Sequence, residues 1–402
     1  MLGRICKSVP DFGVLAAAMI THPLHALLYG RMSFSERIRA ICGRMNEQKL
    51  DVLVALHDGA HFIETPNPVM ALTGFKSLGP AAATVWRDGA VNLIVTPAWD
   101  RERASAACSD LGVVAADDLI DGLAACLAGA RAGKAVVGLA GVSFTPWCLA
   151  RRLVELLPDA VNADSAINGP AAVKTAEEIA HAREAARIAE NGYRRLLEIA
   201  RPGVSEDELA VELKWHSKTL GAEDNFLLLC AGPHHRAVAP SSGRRLRAGD
   251  ILLAEITPSY RGQLAQICRT VVLGDASPTL SEKYQLVVRA MTNGFGAARP
   301  GAPISAICRA INATLEAEGY GEFCYPPHIR RRGHGLGFGS IAPGDISLDN
   351  DLALASGMVF VIHPNQYLPE TGYLLCGEPV VITPQGAQPL TFRCATLAEV
   401  CI

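Results

Sequence analysis

The 402-residue sequence has no stretch near the ~18 consecutive apolar residues that a membrane-spanning helix needs; the longest candidate, Val14 to Ile20, is far too short. Neither sign of charge dominates. Lys and Arg number 37 against 40 Asp and Glu, a net charge of -3, so no global field draws the chain to nucleic acid or anionic lipid. Twelve cysteines are dispersed along the chain without a single Cys-x-x-Cys pair, which argues against the disulfide framework of a short secreted protein. Reduced, mostly buried thiols in a cytoplasmic protein are the expectation instead. Charged residues are scarce at 19% against 50% hydrophobic, which excludes disorder over most of the length, because such a chain can offset its ordering entropy by burial.

At roughly 150 residues per domain the length suits two or three domains. Residues 1–33 read as an N-terminal extension. Pro10, Asp11 and Gly13 interrupt the apolar patch that a secretory signal would need. Residues 34–165 alternate helix and strand. Ile38, Ile41 and Met45 share one face of a helix over 35–46, and 51–56 is a short buried strand. Two further strands flank Arg87-Asp88-Gly89-Ala90, where Asp-Gly supplies a tight turn. Helices near 101–111 and 118–128 complete an α/β layer domain.

An Asn, Ala, Gly and Pro-rich segment, 162–170, reads as a linker to a third region, 166–402. Thr175 and Glu178 form a capping box for a long helix, and Ser205 begins the next. A weak internal repeat follows. Ala200-Arg201-Pro202-Gly203 recurs 98 residues later as Ala298-Arg299-Pro300-Gly301, each between two helices and each leading to a histidine-bearing loop and a hairpin. Glu255 lies six residues after Gly249, and His363 six after Gly357. The repeat predicts a pseudo-two-fold pair of hairpins with Glu255 and His363 facing a shared cleft.

The ordered set Lys174-Thr175, Gly249-Asp250-Ile251-Leu252, Tyr260-Arg261-Gly262, Arg269-Thr270, Gly333-His334-Gly335-Leu336-Gly337 and Gly357-Met358-Val359-Phe360 resembles the pita-bread fold family of methionine aminopeptidase, prolidase, aminopeptidase P and creatinase. The resemblance spans about 172–391 and implies an α/β (α+β) fold class: a C-terminal pita-bread domain behind a smaller creatinase-type α/β domain. It also implies the positions at which the family's metallopeptidases hold two divalent ions with two Asp, one His and two Glu. Here those positions read Glu255, Gln266, His334, His363 and Gly377, with Glu378 available after a one-residue slip. Two close cations need several anionic oxygens, so no metal and no cofactor are expected. The second peptidase signature, a His-Glu pair, reads Ile341-Ala342. These departures are similar to those of the non-metal branch of creatinase and the ectoine hydrolases.

Each candidate residue carries an ordinary alternative. Glu255 lies in an apolar strand, where an unpartnered carboxylate costs several kcal/mol, so it is paired, protonated or functional: a nucleophile or base, or half of an ion pair with an arginine. His334 lies between glycines that let the backbone approach a ligand, and a histidine there can move a proton near neutral pH. His363 is its acid/base companion or a core histidine bonded to backbone. One of His234 and His235 reads as a further acid/base group, as the resemblance implies for that loop. Gln266 and Cys268 share a strand face: Gln266 suits hydrogen bonding to substrate, and Cys268 is more often a small buried hydrophobe than a nucleophile. Arg330, Arg331 and Arg332 form a clamp for a substrate carboxylate or a solvated loop.

The expectation is therefore a metal-independent hydrolase of a carbon-nitrogen bond in a small non-peptide substrate, with Glu255, His334 and His234 or His235 catalytic and His363, Gln266, Cys268, Arg330 and Glu378 on the substrate. The resemblance implies a homodimer whose neighbour completes the pocket. The alternatives are an Xaa-Pro-type metallopeptidase with an altered ligand set, Glu255, His334 and His363 holding one metal, and a catalytically inactive binding protein of this fold.

Overall fold

The computed structural model describes residues 33–63, 65–128, 135–339, 343–393 and 395–402. The expected extension, but for Ser33, and the Ile341-Ala342 pair lie outside the described residues. Helix α1 (Phe34–Glu47) is closed by a Ser33/Glu36 capping box and buries Ile38, Ile41 and Met45, the face its spacing predicts. It is followed by β1 (Val52–His57), α2 (Pro68–Thr73), β2 (Ala81–Trp86), β3 (Val91–Val95), α3 (Arg101–Ala107), β4 (Gly112–Ala115), α4 (Leu119–Ala128), β5 (Val137–Ala140), α5 (Trp147–Leu156), β6 (Val161–Asn162) and α6 (Asp164–Ala172). The strands form one sheet in the order β4-β3-β2-β1-β5-β6. Gly89, at φ 89°, turns the β2–β3 hairpin where Asp-Gly marks it.

The segment expected as a linker is instead mostly α6. Ala166, Ile167 and Ala171 are buried in the same core as α1 and β1, so tertiary packing overrides the Asn, Gly and Pro content that argues against helix.

The second half runs α7 (Ala176–Ile199), α8 (Glu206–Thr219), β7 (Asp224–Gly232), β8 (Ile251–Tyr260), β9 (Gln263–Leu264), β10 (Ile267–Leu273), α9 (Pro278–Ala297), α10 (Ile304–Glu316), β11 (Gly333–Gly335), β12 (Val359–Ile362), β13 (Gln366–Leu368), β14 (Gly372–Leu374), β15 (Glu378–Thr383), β16 (Gly386–Pro389) and β17 (Ala398–Val400). Both expected capping boxes, at Thr175 and Ser205, form. Glu178 also accepts from the buried Arg37, tying the first helix of this half to α1.

Two sheets follow, β17-β10-β8-β7, antiparallel except that β17 runs parallel to β10, and β11-β12-β15-β16, antiparallel throughout. They meet where Cys268 and Gly377 exchange backbone hydrogen bonds of 3.1 and 3.2 Å. Strand alternation places the site. On β8, Leu252, Ala254 and Ile256 pack under α7 and α8, while Ile251 and Leu253 face the core shared with α9 and α10; Glu255 and Thr257 continue that second face. No helix among the described residues is long and apolar enough to cross a membrane.

Candidate active site

Between the two sheets lies a cavity of ≈ 320 Å³ lined by Glu255, Gln266, His334, His363, Asn365, Tyr373, His328, Arg330 and Arg331. Its apolar wall is Ile63, Phe226, Leu228, Val238 and Ile329. Glu255 and His363, the repeat partners, thus reach one space from opposite halves.

Gln266 donates from Nε2 to the Glu255 carboxylate, which fixes the acid's orientation. His334 is buried, with Nδ1 3.0 Å from the Gly335 carbonyl. Only a protonated Nδ1 satisfies that contact, so the neutral ring carries its lone pair on Nε2. The His334 and His363 rings meet edge to face, centroids 5.6 Å apart. Burial, with His334, Arg331 and Arg332 nearby, holds His363 well below the usual histidine range, so it is neutral. Its Nδ1 and the Gln266 Oε1 are buried without a hydrogen-bond partner. Tyr373 is pushed well above the usual phenol range by burial and by Glu255 and Cys268, so its hydroxyl stays protonated.

His234, His235, Cys268 and Glu378 do not line this cavity. His235 bonds the Ile251 carbonyl at 2.8 Å through Nε2, and its own carbonyl accepts from Tyr373 N–H at 2.7 Å, so it braces the strand that carries Tyr373. His234 is exposed, bonds the Pro369 carbonyl and packs on Tyr367. Cys268 is fully buried beneath the site, and burial and Glu255 raise its thiol well above the usual range, the opposite of an activated nucleophile. Glu378 is fully buried and pairs with Arg269 at 2.8 Å, accepting also from Thr391. The arginine triplet splits: Arg330 is exposed at the cavity mouth, Arg331 pairs with Asp345 at 3.1 Å, and Arg332 is buried, bonding Asn312, Gln366 and the Asn365 carbonyl. Gly333 serves strand packing rather than ligand approach, since a Cβ there would lie 2.0 Å from the Val361 carbonyl oxygen.

Asn365, Tyr373 and His328 are polar site residues that sequence reasoning misses. Asn365 stands two residues after His363, a spacing that could have flagged it; Tyr373 carries no local signal.

The five positions at which the fold family's peptidases hold two divalent ions do not fit such a pair here. Gln266 is neutral and spends its amide on Glu255. A Cβ at Gly377 would lie 2.6 Å from His363 Cβ and 3.1 Å from Cys268 Sγ, so no carboxylate can be carried there without backbone movement. Glu378 is committed to Arg269. Among the described residues no three His, Cys, Asp or Glu side chains are placed to hold a metal ion, and this includes Glu255, His334 and His363.

The model of metallopeptidase family M24 matches residues 180–384, just over half of the chain. An uncharacterized peptidase, YqhT, of Bacillus subtilis is 30% identical over 222 residues, covering 54% of this chain and 62% of that protein. An Xaa-Pro dipeptidase of Pyrococcus furiosus is 29% identical over 231 residues, covering 57% and 65%. The match thus spans a little under two thirds of these relatives' length. Among solved structures, the Xaa-Pro dipeptidase from Bacillus anthracis superposes with a TM-score of 0.78 at 21% identity, covering 91% of this chain and 100% of that one. Dipeptidase PepE from Mycobacterium ulcerans gives 0.76 at 24% identity, covering 93% and 100%. The α/β class and the pita-bread fold with its preceding domain hold.

The expected reaction class does not. The matched proteins are peptidases by name, which overturns the reading as a metal-independent hydrolase of non-peptide carbon-nitrogen bonds; they lend no support to a place on the creatinase and ectoine hydrolase side. That reading took altered ligand positions for a change of reaction class, whereas the framework around them is the one these peptidases share. On the extent of that match the chain belongs to metallopeptidase family M24.

Proposed function

We propose that the chain is a short-peptide hydrolase of the Xaa-Pro type that works with an altered set of site groups. The observation that carries this reading is the convergence of Glu255, Gln266, His334 and His363 on one cavity at the positions from which the fold's peptidases act. Glu255, oriented by Gln266, takes a proton from a water molecule that attacks the peptide carbonyl carbon, and returns it to the leaving nitrogen. The Tyr373 hydroxyl donates to the carbonyl oxygen as it gains charge. His334, with its lone pair on Nε2, accepts a hydrogen bond from water or substrate N–H, and neutral His363 adds no cation that would trap the Glu255 charge. Arg330 at the mouth meets the carboxylate of a dipeptide.

The test is incubation with a panel of Xaa-Pro dipeptides, with and without added Mn²⁺, and detection of free proline by mass spectrometry. Release of proline that disappears in Glu255→Gln supports the proposal; no release from any member removes it. A second reading, a cleft that binds peptides without cleaving them, is favoured by the loss of carboxylates at Gln266 and Gly377. Saturable dipeptide binding with no product is its signature.

A further inference from the structure

Arg332 is fully buried, and among the described residues its guanidinium has no carboxylate partner. Neutral oxygens hold it instead. Nε donates to Asn312 Oδ1 at 2.7 Å, and Nη1 donates to Gln366 Oε1 at 2.9 Å and to the Asn365 carbonyl at 3.1 Å. Burial lowers it from the usual arginine value, but a guanidinium keeps its proton in such a setting, so a positive charge stands behind the site. A cation buried among neutral groups is costly, and an apolar side chain of similar volume fills such a space at less cost. Packing alone therefore does not account for it.

Those bonds lead to the cavity. Asn365 lines it, and its Oδ1 accepts from Cys376 N–H at 3.0 Å, closing the base of the β13–β14 hairpin. Gln366 opens β13 and pairs with Leu374 of β14, the neighbour of Tyr373. The Arg332 carbonyl accepts from His363 N–H at 3.0 Å. One residue thus ties α10, through Asn312, to the segment that carries His363, Asn365 and Tyr373. Tyr373 is half-buried and lines the cavity. Burial, Glu255 and Cys268 raise its phenol, and the Arg332 charge opposes them. In a poorly solvated interior a nearby cation makes a hydroxyl a stronger hydrogen-bond donor.

We propose that Arg332 is a positioning residue for the reaction: it fixes the hairpin that carries Tyr373 and, through its charge, strengthens the Tyr373 hydroxyl as donor to the carbonyl oxygen. The inference rests on the short-peptide reading above. It needs no contact between Arg332 and substrate, because Tyr373 lines the cavity and Arg332 lies behind it. The effect favours the tetrahedral state, since a planar carbonyl oxygen carries little charge and an oxyanion nearly a full one.

The experiment is calorimetric binding of two uncleavable isosteres of Ala-Pro to the full chain, with proline release from Xaa-Pro dipeptides measured separately. The ketomethylene isostere keeps a planar carbonyl; the phosphinic isostere has a tetrahedral centre with an anionic oxygen. Arg332→Met removes the charge. Asn312→Asp keeps an acceptor oxygen for Nε and sets a counter-charge against the guanidinium, so it neutralises without unfastening. Each is expected to weaken phosphinic binding about tenfold, the margin of a charge-assisted over a neutral hydrogen bond, while ketomethylene binding shifts by less than about threefold. In a Tyr373→Phe background that selective loss should vanish, since the donor it acts through is gone. Equal effects on the two isosteres, a selective loss that persists without the Tyr373 hydroxyl, or no binding of either isostere overturns the assignment. Should Arg332→Met fail to fold, Asn312→Asp decides: wild-type affinity for the phosphinic isostere rejects the role of the charge. Selective loss with no proline release keeps the role of Arg332 and removes the hydrolytic reading; proline release with no selective loss does the reverse.

Discussion

Glu255 and His363 occupy equivalent places in the two halves of the second domain. Each lies six residues beyond a glycine at positive φ, 81° at Gly249 and 91° at Gly357, and both line one cavity. The two halves therefore supply one site with unlike groups, a carboxylate and a neutral imidazole.

The carboxylate is the group expected to move the proton. Glu255→Gln keeps the volume and, with its amide flipped, the bond to Gln266. For any dipeptide the enzyme cleaves, kcat should fall by about 10²–10⁴ while the affinity for that dipeptide changes little. Steady-state kinetics beside calorimetric binding checks this; unchanged kcat assigns Glu255 a structural role.

Arg269 and Glu378 form a buried pair, 3% and 0% exposed, at the seam between the two sheets. Arg269 also donates to the carbonyls of Cys268 and Gly377, the two residues that join β10 to the start of β15. Glu378→Ala leaves a buried guanidinium without its counter-charge and should cost about 3–5 kcal/mol. The double variant Arg269→Met with Glu378→Leu should recover a good part of that loss. Urea denaturation of the three proteins measures both; a single-variant loss below about 1 kcal/mol contradicts the assignment.

His57 gives a pH dependence whose sign is fixed. Its folded-state value, lowered to about 4 by burial and the neighbouring His61, lies below the ordinary histidine value of 6.5, so between these the unfolded chain binds the extra proton. Stability is full above pH 6.5, falls as pH drops toward 4, and changes no further below that on account of this residue. The size is roughly 3 kcal/mol. His57→Phe should flatten the stability profile between pH 6.5 and 4 relative to the wild type, as read from denaturation midpoints. An unchanged slope shows that His57 is not the group responsible.

What the sequence made legible was local or periodic. The capping boxes at Thr175 and Ser205 need only residues three apart, and the glycine spacing of the repeat led to Glu255 and His363. The illegible parts were decided by distant partners. Asp164–Ala172 becomes helix because α1 and β1 cover its apolar face. The three consecutive arginines read as one basic patch, yet Arg332 is drawn inward by Asn312 and Gln366 while Arg330 stays at the surface. His235 looked like an acid/base group from its loop, and only the Ile251 carbonyl and Tyr373 N–H show that it braces backbone. Reaction class was the least legible, because it was argued from five altered positions and the remaining framework weighed too little.

The last expectation concerns those five positions. Two adjacent divalent ions need anionic oxygens, and Gln266, His363 and Gly377 supply none. The protein, loaded with Mn²⁺ or Zn²⁺ and desalted, should retain fewer than two ions per chain by mass spectrometry. Nor should a carboxylate at 377 be easily restored. The obstruction there is His363 Cβ at 2.6 Å, an atom that every residue except glycine carries, so changing His363 to another side chain does not clear it. Even Gly377→Ala should therefore destabilise by about 1–3 kcal/mol and displace His363 from the cavity. Two retained ions, or an alanine variant with the wild-type melting temperature, would show that the seam between the sheets is looser than its geometry indicates.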